Sequence, residues 1–519
     1  MSMQDQTPQT DQPAGPVQAA PMGGSVRSGM AWTLGFTVFG RAISLVSQIL
    51  LAKVLSEGDF GIFAICTSIF ITVTSLKDFG LRQLLVQRGP AEFAKVVGSA
   101  FWLSVVLFTL FGLLIVALAW PAAAFYNDHR LIGLMLISGA SVPLGAPSMI
   151  YQAKLQQDMR FKEATIILTL SSVARFGGQI GLALAGFGPL SLVIPLVFVG
   201  IVEWAAGWWF VRKPLFNLRP EPHRWAGLLR GGRWLVAGAF AVTAMNNGIY
   251  MLVGRVVPTE VTGQFYFAFT IVIQVGMILS TNVFSVLLPA LTRIRNEPAR
   301  FADAATRAAQ MTAVVGALMC LPLIPTFQPI ELLIWKQKWA GSIPAVEIMS
   351  LLYPFVVMLA CPLAAIAAYD RSRIWAIALG ICALAGNGAG LVAGWLGQSA
   401  SSIALGYAIA TAIAAIGVSA WIYRLVSIPL AGAFYWSMGI WLVLATPNLA
   451  LWYVDRKVWA LPGDPLYRAM ILGTLSLFLM TICLRIIAPA ALAEALRLFP
   501  APLRPLAGTI LRLRASDPA

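Results

Sequence analysis

Three ionisable side chains, Arg41, Arg175 and Glu203, lie deep inside apolar runs of this 519-residue chain. An ionised group at the centre of a bilayer costs about 2.5–3.5 kcal/mol on insertion scales, so such residues face protein or a wet cavity. Arg41 is too deep in its run to reach the surface. Its guanidinium offers planar, bidentate donors and keeps its charge at low dielectric, which suits a phosphate-bearing ligand in a cavity. The competing reading is a structural partner for polar residues on neighbouring helices. Arg175 and Glu203 belong to consecutive runs joined by a turn around Gly186 to Pro189, at depths differing by a few residues. The favoured reading there is a structural ion pair, with ligand contact by Arg175 or proton carriage by Glu203 as alternatives.

Weaker candidates surround these. Lys77, Asp78 and Arg82, in the stretch SLKDFGLR, end an apolar run and would form either a positive cavity mouth or a solvated helix end. Gln48, Asn246, Asn247, Gln274 and Asn282 would hydrogen-bond a polar ligand or, equally, bind helices to one another. No phosphate-binding loop, GxSxG or HExxH motif is present, so no catalytic residue is expected. The five cysteines all fall in apolar runs without CxxC spacing and read as core residues. Neither a metal site nor a cofactor is expected.

The elements that position these residues follow from composition. The chain is 59% hydrophobic and only 11% charged, with a mean hydropathy of +0.80. That excludes an ordinary soluble domain and predicts an all-α polytopic membrane protein. Apolar windows and breakers give about fourteen transmembrane helices, near 32–54, 60–81, 96–119, 131–152, 164–186, 190–211, 234–255, 263–289, 309–328, 345–368, 374–396, 402–424, 432–452 and 467–488. With both termini cytoplasmic, 26 Lys and Arg residues fall in inner connectors and 8 in outer ones, as the positive-inside rule requires. The net charge of +15 then reflects topology and anionic lipid, and its dispersal over short loops argues against nucleic acid. Tryptophans at span ends, Trp120, Trp208, Trp209, Trp225, Trp335, Trp339 and Trp459 among them, fit an aromatic belt.

Two segments repeat. LLAKVLSEGDFGIFA at 50–64 and LVGRVVPTEVTGQFY at 252–266 align at an offset of 202, which matches Gly61 to Gly263 and Lys53 to Arg255. The SEGD residues read as a four-residue interfacial turn. The offset crosses six spans, an even number, so the repeats are parallel.

The stretch from Arg41 to Arg88, with AKLQQDMRFKEAT at 153–165 and LVGRVVPTEVTGQFYFA followed by LLPALTRIRN, resembles the polysaccharide transporter, Wzx-like branch of the multidrug/oligosaccharidyl-lipid/polysaccharide flippases. The resemblance runs over roughly residues 30–490. It departs where relatives carry an acidic residue in the seventh span, since this chain has NNGIYM there. It implies two parallel-repeat six-helix bundles plus two C-terminal helices, with spans one, two, seven and eight lining a cavity. The resulting division is 1–28 disordered cytoplasmic tail, 29–213 N-terminal bundle, 214–233 cytoplasmic linker, 234–425 C-terminal bundle, 426–488 additional helices and 489–519 basic interfacial tail.

The expected function is a flippase of the bacterial inner membrane. It would move a polyprenyl-pyrophosphate-linked oligosaccharide by alternating access for exopolysaccharide, capsule or lipopolysaccharide synthesis. Membrane lipids, a glycan polymerase and export machinery are its expected partners. The alternatives are a cation-coupled drug or metabolite antiporter of the same fold, and a membrane glycan polymerase or ligase.

Overall fold

The computed structural model describes residues 43–77, 90–212, 233–458 and 463–489, with Gly40, Leu81, Arg82, Leu85 and Trp225 as isolated positions. Arg41, Asp78, the two tails and most of the linker lie outside the described residues. Seventeen α-helices are described: α1 (Ile43–Val54), α2 (Glu57–Thr74), α3 (Pro90–Tyr126), α4 (Arg130–Ser141), α5 (Gly145–Gln157), α6 (Phe161–Leu184), α7 (Ile194–Val211), α8 (Arg233–Val253), α9 (Thr259–Arg293), α10 (Pro298–Cys320), α11 (Leu323–Trp335), α12 (Ile343–Met358), α13 (Ala360–Ala368), α14 (Ser372–Gly397), α15 (Ala400–Leu425), α16 (Trp436–Tyr453) and α17 (Pro465–Ile487).

Eleven stretches are long and apolar enough to cross a membrane, or twelve when α4 and α5, bent by 44° at their junction, count as one. The fourteen expected spans are therefore not all reached by that measure among the described residues. The remaining two coincide in position with α1 and α9. Short breaks divide single expected spans: α10 with α11, and α12 with α13, each make one long stretch. Leu, Val and Ile side chains along α3, α14 and α15 point outward, as lipid-facing surfaces do.

The turn between α1 and α2 is tighter than the sequence suggests. Only Leu55 and Ser56 lie outside helix, because Ser56 and Asp59 form a capping box: the Asp59 backbone N–H donates to Ser56 Oγ at 3.1 Å and the Ser56 N–H donates to Asp59 Oδ2 at 3.0 Å. Glu57, Gly58 and Asp59 are thus the first turn of α2. The acidic residues placed there also suit the positive end of the helix dipole.

The sequence repeat has a direct structural meaning. A Cβ on Gly61 would overlap the backbone carbonyl of Thr259, and a Cβ on Gly263 would overlap that of Glu57. Thr259 is Glu57 displaced by the same 202 positions, so α2 and α9 cross through a reciprocal contact in which each glycine admits the other helix's backbone. Only a residue without a side chain permits that approach.

Polar contacts tie α16 and α17 to each other and to α12. Asp455 accepts from Arg468 at 2.9 Å, and Glu347 on α12 accepts from Arg456 at 2.5 Å. Within the pair, Ser476 donates to Asn448 Oδ1 at 2.6 Å, both residues being buried.

Candidate functional site

A cavity of about 220 Å³ lies between α1, α2, α6 and α9. Helical periodicity builds its walls. Ser44, Ser47, Gln48 and Leu51 form one stripe of α1, at intervals of three and four residues, and Tyr266, Thr270 and Gln274 form one stripe of α9. Arg175, Phe176 and Gln179 enter from α6, and Phe60 and Phe63 from α2.

Arg175 is the charged group that lines this space among the described residues. It has no ion-pair partner among the described residues, and its Nε is buried without a hydrogen-bond partner. Ser47 Oγ is likewise buried and unpartnered. Buried donors are almost always satisfied, so two orphans facing one polar cavity describe a surface built to receive a hydrogen-bonding ligand or water. Gln179 is committed elsewhere, donating to the Leu192 carbonyl at 2.9 Å, which fixes the wall beside Arg175. Gln274 spans the cavity to Ser44 Oγ at 3.3 Å.

Above the cavity, toward the α1–α2 turn, the same helices turn aromatic. Phe60 packs edge-on against Trp339 with centroids 5.1 Å apart, Phe267 stacks on Trp339 at 4.1 Å, and Phe63 meets Tyr266 at 6.0 Å. Trp339 and Phe267 are fully buried. An arrangement of this kind offers an anion one fixed cation, several neutral polar groups and an apolar roof.

The candidates named from sequence divide sharply. Gln48, Gln274 and Arg175 come together in the cavity, whereas Asn246 and Asn247 spend their amides on their own helix, donating to the carbonyls of Val242 at 3.0 Å and Thr243 at 3.4 Å. Lys77 lies over the Phe108 ring at 4.6 Å, and Arg82 is half-buried; neither lines the cavity. Asn282 falls on α9, with its side chain outside the described residues, as are Arg41 and Asp78. Arg41 precedes the cavity residue Ser44 by three positions.

The expected Arg175–Glu203 ion pair does not form. Glu203 Oε2 instead accepts from Ser148 Oγ at 2.7 Å and Gln152 Nε2 at 3.5 Å, both on α5. The reason is azimuth. Gly200 and Gly207, three and four residues either side of Glu203, are the positions where α7 meets Leu144 and Tyr151, so Glu203 lies on the α5-facing stripe. Arg175 faces the other way, toward α1 and α9. Trp335 and Trp339 also depart from the aromatic-belt expectation, being 6% and 0% exposed, whereas Trp209 at 67% is free to meet lipid.

Sequence reasoning passed over Ser44, Ser47, Thr270, Tyr266 and Phe176. The signal was available for the first four: a polar stripe at helical spacing through Gln48 and another through Gln274. Among the described residues no cluster of metal-ligating side chains occurs.

Residues 50–344, more than half of the chain, match the family described as "Polysaccharide biosynthesis protein". The lipopolysaccharide biosynthesis protein WzxC of Escherichia coli (strain K12) is 22% identical over 328 residues, covering 62% of this chain and 65% of that protein. The succinoglycan biosynthesis transport protein ExoT of Rhizobium meliloti (strain 1021) is 21% identical over 327 residues, 63% of this chain and 66% of that protein. The chain thus spans just under two thirds of the length of these curated relatives. Among solved structures, the lipid II flippase MurJ in an inward closed conformation superposes with a TM-score of 0.64 at 16% identity, covering 88% of this chain and 99% of that one. An inward-facing multidrug resistance MATE family transporter of the MOP superfamily gives 0.60 at 14% identity, over 75% and 94%. At these identities the likeness is one of fold.

Proposed function

Since the chain belongs to the polysaccharide biosynthesis protein family, we propose that it is a flippase for a polyprenyl-pyrophosphate-linked oligosaccharide in the bacterial inner membrane. The observation that carries this reading is the cavity itself, where the Arg175 guanidinium, without an ion-pair partner among the described residues, stands beside the Phe176 ring and among amides and hydroxyls. The guanidinium would take the pyrophosphate by charge-assisted hydrogen bonds, and Gln48, Gln274, Ser47 and Thr270 would take sugar hydroxyls. Headgroup and sugars would cross through the polar interior while the lipid tail stays in hydrocarbon, which avoids carrying phosphate through apolar medium. Arg41, close in sequence to Ser44, would add a second cation.

The names of WzxC, ExoT and MurJ support the same cargo class. We place both termini in the cytoplasm from the distribution of basic residues, which puts the α1–α2 turn and its aromatic roof at the outer face. The bundles 29–213 and 234–425 would rock about the cavity between them. Glycan polymerase and export machinery would act on the flipped product, and the chain itself would carry out no bond-making step. A cation-coupled drug or metabolite antiporter is disfavoured because the charge lining the cavity among the described residues is positive.

Reconstitution in liposomes tests this reading. A polyprenyl-pyrophosphate oligosaccharide with a reducible fluorophore, placed in the inner leaflet, should become accessible to external dithionite only when the protein is present. No protein-dependent quenching, together with transport of a cationic dye, would reverse the assignment.

A further inference from the structure

The segment Trp335–Trp339 sits between α11 and α12, yet its donors are spent on α1. Trp335 Nε1 donates to the Ile49 carbonyl at 3.2 Å and Trp339 Nε1 to that of Ala52 at 3.0 Å. Lys338 Nζ donates to the carbonyls of Lys53 at 2.9 Å and Leu55 at 2.7 Å. The last carbonyls of a helix lack partners within it, and a cation there also complements the negative end of the dipole. Lys338 and Trp339 thus complete the end of α1, and Trp335, the last residue of α11, adds a second bond to a carbonyl just before that last turn.

The loop is shaped in advance for this. Lys336 and Gln337 both adopt left-handed backbone, with φ of 55° and 68°, a conformation that is costly for residues with a side chain. Glu331, 1% exposed, holds the fold of the loop by accepting from the Trp339 backbone N–H at 2.9 Å. Burial pushes the Lys338 ammonium pKa below its ordinary value, while Asp59 and Glu57 nearby pull it back up. Trp339 then plugs the aromatic roof against Phe60 and Phe267.

We propose that Trp335, Lys338 and Trp339 form a latch that pins the outer end of α1 to α11 and α12, and that its release is the step that opens the cavity outward. The proposal rests on the alternating-access reading above. Because α1 carries Ser44, Ser47, Gln48 and Leu51, releasing the latch frees one whole wall of the cavity. Glu331 is a positioning residue for it.

Ser47 is 1% exposed and serves as a reporter. Four of the five free cysteines are buried and Cys483 is half-buried, so the parent for labelling is Ser47→Cys with Cys483→Ala. In intact cells, an impermeant maleimide should label this parent slowly. Adding Lys338→Met, Trp339→Phe or Glu331→Gln should speed labelling from outside about tenfold, the shift expected when one to two net hydrogen bonds are lost. Trp209→Phe, on an exposed tryptophan, should leave the rate unchanged. Equal rates in the latch variants and the parent overturn the proposal.

Should those variants fail to accumulate, Lys53→Cys with Lys338→Cys, bridged by a short thiol-specific linker, gives the converse test. With a bis-methanethiosulfonate as the linker, which joins the two cysteines through disulfides, bridging should stop flipping and reductant should restore it; flipping that continues while bridged overturns the latch. Absence of flipping by the unmodified protein would instead overturn the functional reading, and the labelling rates, which need no cargo, would still judge the latch.

Discussion

The α2–α8 and α9–α1 interfaces occupy equivalent places in the repeat and have opposite characters. On α2, Ser68 Oγ donates to the Asn247 carbonyl at 2.5 Å and Thr72 Oγ1 to Met251 Sδ at 3.9 Å, closing α2 on α8. The residues 202 positions later, Thr270 and Gln274, face α1 across the cavity, and only Gln274 reaches it, at Ser44. Ile65 packs against Gly254 on the closed side, whereas its counterpart Phe267 is held off by Trp339 on the other. One copy of the interface is thus closed by direct contacts, and its twin holds a cavity beside an aromatic cluster. A cavity arises here because a repeated contact is left incomplete.

The largest effect should come from disturbing the crossing that both interfaces share. Gly61→Leu or Gly263→Leu would place a side chain against a backbone carbonyl, which no rotamer change relieves, so the cost should meet or exceed the upper end of the about 1–3 kcal/mol seen for overpacked cores. Loss of monodisperse protein on size-exclusion chromatography is the expected result. Normal yield and thermal stability would mean that the two interfaces do not hang on one crossing.

Changing the open interface alone comes next. Arg175→Met should lower flipping at least about thirtyfold, taking 2 kcal/mol as the low end for a removed charge partner, with expression intact. Arg175→Lys should retain part of the activity, since it keeps the charge and loses the planar fork. Full transport by Arg175→Met would show that the orphaned guanidinium is structural. Smallest of all, Ser68→Ala on the closed side should cost about 0.6 kcal/mol in stability, the average for a hydrogen bond between membrane helices. Flipping should be unaffected, and a transport defect there would erase the distinction between the two sides.

The all-helical membrane plan was legible from sequence because apolar run length and breakers are one-dimensional properties, whereas the SEGD turn was misplaced because the Ser56–Asp59 capping box draws Glu57, Gly58 and Asp59 into α2. Gly61 and Gly263 could be matched by offset alone, and their reciprocal contact explains why that match is glycine. The cavity was only half legible. Gln48 and Gln274 were found as polar residues at depth, but depth carries no azimuth, and Arg175 and Glu203 at similar depths face different helices. Asn246 and Asn247 show the same limit, since a polar residue inside a membrane helix can satisfy itself on the carbonyl four residues back. The roles of Trp335, Lys338 and Trp339 depend on partners some 285 residues away, such as Lys338 with Lys53, and nothing local announces them.

The crossing at Gly61 and Gly263 also bears on how such a chain can diverge after gene duplication. Each copy supplies the obstacle that the other must avoid, so neither position can drift independently, however far the surrounding halves specialise. Ser68 and Thr270, at equivalent places in the repeat, have different surroundings, while the pivot beside them is shared by both halves. A recombined protein carrying the first half of one relative and the second half of another should therefore assemble only where both parents supply glycine at the crossing.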